Sequence, residues 1–199
     1  MKPQIELRDQ ITTTVAIVIV AKWNADQYRE LIDAAVGRVD EIITAVDDGA
    51  EVGIDNYRPD MVKYLHRPLN ADFAAQRNFL ADAATSDWIL AIDTDENLTP
   101  FLWQSLRLLA DATLEDTISL PMRHTVGGKP DFYQWPAYAL RMWRKNGSIL
   151  WTRPIHTYLT GFSSTRLLPP ILRYAIQHTK TAEMQQRTDL FNAAHPIPQ

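Results

Sequence analysis

Trp88-Ile-Leu-Ala-Ile-Asp93-Thr-Asp95-Glu96 is the stretch on which the fold turns: an apolar run meets two carboxylates spaced two residues apart. A short, uninterrupted apolar run reads as a strand buried on both faces, the kind found in parallel sheets. Its carboxylates then stand where the buried sheet opens. In open α/β sheets, ligands bind in the crevice beyond the carboxyl ends of the strands. If the strand continued through them, Asp93 and Asp95 would point to the same side. Two hard oxygen ligands suit Mg²⁺ or Mn²⁺, which complete their shells with water and substrate phosphates. The bland alternative is a strand that ends in a solvated acidic turn.

Working toward the N-terminus, Val15-Ala-Ile-Val-Ile-Val-Ala21 is β-branched and unbroken, so it reads as a central buried strand. Asn24 follows as a helix N-cap, with Gln27 completing a capping box. Tyr28, Leu31, Ile32, Ala35 and Val36 recur at helical spacing, and Gly37 stops that helix. Glu41 to Val46 is a second strand, closed by Asp47-Asp48-Gly49, and Met61 to Leu65 a short third. Ala71 to Ala84 is helical, and Thr99-Pro100 opens a helix through about Ala110. The order β-α-β-β-α-β-α predicts a largely parallel sheet with helices on both faces.

Beyond residue 112 the pattern changes. Thr117 to Met122 is a strand, followed by a turn-rich segment containing Gly127-Gly128 and Pro130. Tyr138 to Trp143 and Ile149 to Trp151 are expected to form a hairpin about Asn146-Gly147, a strong turn signal. Four of the six tryptophans (103, 135, 143 and 151) fall between residues 100 and 151 and read mainly as core, with a sugar-stacking platform as the other role. Residues 181–194 form a polar helix candidate, too thin in apolar residues for a membrane-surface helix.

With 199 residues, the chain has room for one domain. A net charge of -4 gives no drive toward nucleic acid. The absence of cysteine excludes disulfides, zinc–thiolate sites and thiol catalysis. Met1 to Asp9 has no apolar segment of signal-peptide type, and the run from Val15 to Ala21 is far too short to cross a bilayer. The expected location is cytoplasmic, without a transmembrane segment but with room for peripheral membrane contact.

Asp47 and Asp48 end one strand and Asp93 and Asp95 another, and in one parallel sheet such ends converge on a single crevice. Arg77, in Ala75-Gln76-Arg77-Asn78, lies in the helix before the acidic strand and suits phosphate oxygens. Its ordinary alternative is a surface salt bridge to Asp72 or Asp82. Carboxylates, a divalent cation and an arginine together fit a diphosphate ligand better than a neutral one.

In these landmarks the chain resembles the family 2 glycosyltransferases of GT-A fold, particularly the small enzymes of lipopolysaccharide core assembly. Lys22-Trp23-Asn24-Ala25-Asp26 partly matches the family's Asn-Glu helix start, and Val46-Asp47-Asp48-Gly49-Ala50 its Val-Asp-Ser-Gly-Ser strand end. Ala75-Gln76-Arg77-Asn78 matches its Ala-Gln-Arg-Asn helix, and Asp93-Thr94-Asp95-Glu96 its acidic motif. The resemblance implies an α/β, Rossmann-like GT-A domain: a mostly parallel sheet flanked by helices, with a smaller β-containing acceptor-side segment. It implies one domain over 1–199, with a nucleotide-sugar half at about 12–112, an acceptor-side half at about 113–180 and a tail at 181–199.

The resemblance also implies roles. Asp47, Asp48, Arg77 and Asp93 would bind the nucleotide-sugar donor, and Asp95 would ligate Mg²⁺ or Mn²⁺. Tyr138-Ala-Leu-Arg141-Met-Trp-Arg144 resembles the family's Arg-Leu-Phe-Arg strand. Pro154-Ile-His156-Thr157 resembles its Val-His-Glu segment, which makes His156 the expected third metal ligand. His178, in Ile-Gln-His-Thr-Lys, resembles a late family histidine. The activity implied is metal-dependent sugar transfer, with inversion, to a glycan or lipid-linked glycan in cell-envelope assembly.

The match departs at Thr157, where relatives carry an acid that takes the acceptor proton. Asp131 in the turn-rich segment is then the preferred base, with Glu96 the other candidate. The departure keeps open a degenerate, nucleotide-binding protein without catalysis. A haloacid-dehalogenase-type phosphohydrolase also uses Asp-x-Asp, but would want Thr or Val where Asn97 stands. A sugar nucleotidyltransferase would need a Gly-rich loop where Lys22 to Asp26 stands.

Overall fold

The computed structural model describes residues 12–51, 53–131 and 135–196. The N-terminal half runs β1 (Val15–Ala21), α1 (Ala25–Ala35), β2 (Glu41–Val46), β3 (Lys63–His66), α2 (Phe73–Ala83), β4 (Trp88–Asp93), β5 (Glu96–Leu98) and α3 (Pro100–Asp111). The second half adds β6 (Thr117–Val126), β7 (Lys129–Pro130), β8 (Ala137–Arg144), β9 (Leu150–Thr152), β10 (Tyr158–Thr160), β11 (Thr165–Leu167) and β12 (Ile176–Lys180). The chain closes with α4 (Ala182–Ala194).

The main sheet has the order β3-β2-β1-β4-β8-β6-β12-β5, with β7 and β11 paired to β6. It is parallel from β3 through β4 and mixed beyond, since β8 is antiparallel to both β4 and β6. Only Thr94 and Asp95 separate β4 from β5 in sequence, yet three strands, β8, β6 and β12, separate them along the sheet. The sheet therefore curls back on itself, and the acidic turn is the point of closure.

The unbroken apolar runs are explained by helices on both faces. Val15, Ile17 and Ile19 of β1 join Tyr28, Leu31 and Ile32 of α1 and Leu102, Trp103 and Leu106 of α3 in one core. Ala16 and Val18 face the other way, with Ala45, Ala91, and Ala74 and Leu80 of α2. That second face is lined with alanines, so α2 can lie close against the sheet. Trp103, Trp143 and Trp151 are all buried, as core residues should be.

Local details differ from the sequence reading at three places. Asn24 takes the N-cap position of α1 in a left-handed conformation (φ 66°) and makes no capping bond. The Ala25 N–H donates to Glu51 Oε2 (2.8 Å) and Gln27 donates to the Thr179 carbonyl, so the capping box is not formed. β5 gives no periodic signal, because Glu96-Asn97-Leu98 is only three residues long and two of them are polar. The expected hairpin about Asn146-Gly147 is absent: β8 has both edges occupied by β4 and β6, and β9 pairs with β10 instead. The turn is still made, with Asn146 Oδ1 accepting from the backbone N–H groups of Ser148 and Ile149.

Candidate active site

In the order β2-β1-β4, three parallel strand ends lie side by side and deliver Asp47, Lys22 and Asp93 to one edge of the sheet. Asp47 is nearly buried. Its Oδ2 accepts from Lys22 Nζ (2.6 Å), and its Oδ1 accepts from the N–H groups of Asp48 and Leu69 (both 2.8 Å). Burial alone would raise its pKa, but the hydrogen bonds from Lys22, Leu69 and Asp48 outweigh it and hold the carboxyl below the usual range. Asp48 is exposed beside it.

The Gln76-Arg77-Asn78 segment of α2 spreads over three partners. Gln76 exchanges hydrogen bonds with Arg67, accepting at Oε1 (2.6 Å) and donating to the Arg67 carbonyl (2.8 Å). Asn78 bonds the Trp151 backbone as a neighbouring strand would, accepting from its N–H (2.8 Å) and donating to its carbonyl (2.9 Å). Arg77 is buried. It donates to Asp93 Oδ1 (2.7 Å) and to Thr157 Oγ1 (2.5 Å) and lies over the Trp151 ring, 4.7 Å from its centroid. Its partner is thus Asp93, not Asp72 or Asp82.

Arg141 of β8 lies opposite, donating to Asp93 Oδ2 (2.9 Å) and Glu96 Oε1 (2.5 Å). Burial would raise Asp93, but Arg77 and Arg141 overcome it and hold the carboxyl well below its ordinary value. Burial pushes Glu96 up, reinforced by the charge of Asp93 and opposed by Arg141. Two arginines and two carboxylates compensate one another here, as groups removed from water must.

Asp95 faces elsewhere. Its Oδ2 is 3.1 Å from His178 Nε2, and its carbonyl accepts from the Thr179 N–H (2.9 Å). His178 Nδ1 is in turn 2.9 Å from Nδ1 of His124. Burial first, then the neighbouring His178, lowers the His124 pKa below that of a free imidazole. The histidine beside Asp95 is therefore His178. His156 bonds the His195 carbonyl through Nε2 (2.7 Å) and takes a left-handed backbone (φ 52°).

No cluster of three or more His, Asp or Glu side chains able to hold an ion unaided occurs among the described residues. Mg²⁺ and Mn²⁺ sites that serve phosphates do not need one, because water and the ligand complete the shell. Two ligands about 2.1 Å from such an ion, at right angles, sit about 3 Å apart. The observed 3.1 Å between Asp95 Oδ2 and His178 Nε2 fits that edge.

A cavity of about 540 Å³ opens in front of Arg77, Asp93 and Arg141. Tyr138, Trp151 and the loop from Ile155 to Leu159 form its walls, and Phe191 and Asn192 of α4 border it. His156 lines this cavity; Asp131 does not. Asp131 lies on a separate recess of about 130 Å³ with Arg123, Trp135 and Leu172, its N–H bonded to the His124 carbonyl (2.9 Å).

A curled α/β sheet with acidic strand ends gathered at one crevice is the GT-A frame, and solved structures bear this out. S. aureus TarS 1–349 in complex with UDP-GlcNAc superposes with a TM-score of 0.60 at 14% identity, over 84% of this chain and 59% of that one. The same protein in complex with UDP gives 0.58 at 12% identity, over 84% and 60%. The model of glycosyl transferase family 2 matches residues 16–168, and the chain belongs to that family. A TPR repeat-containing protein of Synechococcus elongatus is 25% identical over 201 residues, which is 92% of this chain. The chain spans about half of that relative, 49% of its length.

Proposed function

We propose that the chain is a metal-dependent glycosyltransferase that takes its sugar from a nucleotide-sugar donor. The observation that carries this reading is the Asp95–His178 pair at the closure of the sheet, beside the strand ends that bear Asp47 and Asp93. The nucleotide would lie across the ends of β2 and β1 near Asp47 and Asp48, with its diphosphate toward Asp95 and His178. When bound there, Mg²⁺ or Mn²⁺ neutralises charge developing on the leaving diphosphate. Arg77 and Arg141 fix Asp93 at the border between this site and the cavity, so the carboxylate can accept from a sugar or ribose hydroxyl without moving.

The cavity in front of Arg77 would receive the acceptor, a glycan or lipid-linked glycan, with Tyr138 and Tyr158 as faces for sugar rings. The proposed transfer inverts the anomeric centre. Asp131 remains the proposed base, which requires the acceptor hydroxyl to reach its recess. Among the described residues lining the main cavity, Asp93 is the one carboxylate, and its lowered pKa makes it a poor proton acceptor. That observation, with Thr157 at Arg77, supports a second reading: a donor-binding protein without transfer.

A thermal-shift screen of UDP, GDP, CDP, ADP and dTDP, each with and without Mn²⁺, tests the proposal. UDP comes first, since the TarS structures of like fold hold UDP and UDP-GlcNAc. Saturation at 100 times Kd stabilises by about 2.7 kcal/mol. A metal-dependent shift with one nucleotide is expected; no shift with any of them overturns the donor site. Release of nucleoside diphosphate from the matching sugar nucleotide, with and without acceptor, then separates transferase from binder.

A further inference from the structure

His124 has no counterpart among the residues that the donor reading uses, yet it sits directly behind His178. The two are register partners on neighbouring parallel strands, β6 and β12. Their rings meet edge to face, with centroids 4.9 Å apart and the two Nδ1 atoms 2.9 Å apart. A contact between two Nδ1 atoms requires one to carry hydrogen and the other a lone pair. Which is which decides what Nε2 of His178 can offer to Asp95.

We infer that His124 is a positioning residue that sets the tautomer of His178 and so switches the Asp95 corner between a closed and a cation-accepting form. This rests on the reading of Asp95 and His178 as the cation's protein ligands. In the closed form His178 carries its hydrogen on Nε2 and donates to Asp95, while His124 donates from Nδ1 to His178 Nδ1. In the accepting form His178 carries its hydrogen on Nδ1 and donates to His124, which now holds its own on Nε2. His178 Nε2 then presents a lone pair.

Each imidazole keeps one hydrogen in both forms, so the switch neither gains nor releases a proton. A backbone carbonyl behind His178 could only accept and would hold one tautomer permanently. An imidazole accepts in one state and donates in the other, so the contact survives the exchange. Partners behind a ligating histidine typically contribute 10–100-fold to metal affinity.

The test is Mn²⁺ alone, titrated into the full chain and followed by the electron paramagnetic resonance of the free ion. His124→Phe is expected to weaken Mn²⁺ binding about 10–100-fold. His124→Asn, whose amide can donate or accept near the Nδ1 position, is expected to keep most of the affinity. Histidine ¹⁵N spectra with Mg²⁺ should show hydrogen moving to His178 Nδ1 and leaving His124 Nδ1. Wild-type binding matched by His124→Phe would overturn this inference while sparing the metal site. So would equal loss in both variants, or unchanged tautomers. Failure of the wild type to bind Mn²⁺ would remove the metal reading and this inference together.

Discussion

The Asp95 carboxylate meets an imidazole, and its backbone carbonyl is tied to β12, so its position is fixed on two sides. Asp95→Ala is therefore expected to abolish metal-dependent nucleotide binding while leaving the melting temperature of the free protein within a few degrees; equal binding would remove Asp95 as a ligand. Asp47 is different, because it holds three segments together through Lys22, Asp48 and Leu69. Its pKa is lowered in the folded state. The stability it contributes is complete above the unfolded carboxylate value of about 3.9 and is lost as pH falls below it. Asp47→Asn should lower the melting temperature at pH 7 by an amount that shrinks below about pH 3.9, measured by calorimetry across that range. A gap unchanged with pH would mean that the charge is not what stabilises the junction.

At the scale of elements, the turn after β10 leaves no room for a side chain at Gly161. A Cβ on Gly161 would stand 1.9 Å from the Ser148 carbonyl oxygen, at φ +81°. Gly147 has a similar φ of +76° with open space around it. Gly161→Ala should cost at least about 2 kcal/mol more than Gly147→Ala, whose penalty is only that of the left-handed backbone; denaturant unfolding of the two variants makes the comparison. These elements also show what a sequence can disclose. β1, β2 and β4 were legible because burial on both faces leaves unbroken apolar runs. The pairing of β9 with β10 was not, since Asn146-Gly147 specifies a turn but not whether an edge is free beyond it. Gln76-Arg77-Asn78 was legible as a family signature, but its three separate partners were not: they depend on where β4, β9 and the 154–157 loop come together. His178 was outweighed by His156 for the same reason. Only the pairing of β12 with both β5 and β6 brings residue 178 to Asp95.

For the molecule as a whole, the packed sheet and the terminal helix contribute unequally to the core. The N-terminal half holds the helices packed on both faces of the parallel strands, whereas α4 has no buried residue. No helix among the described residues is long and apolar enough to cross a membrane. Removing residues 181–199 should shift the melting temperature only slightly, while opening the side of the cavity bordered by Phe191 and Asn192. A loss of cooperative unfolding in the truncated chain would show that α4 carries part of the core.

The curl of the sheet also sets when the acidic corner is completed during synthesis. β1 through β4 are made before β6, β8 and β12. Asp95 is made with them, but His178 follows 83 positions later. The first four strands can be ordered while the acidic corner still lacks its imidazole. The Asp95–His178 pair thus forms only once β12 has been made, and a nascent chain halted before β12 would carry the acidic strand ends without that imidazole.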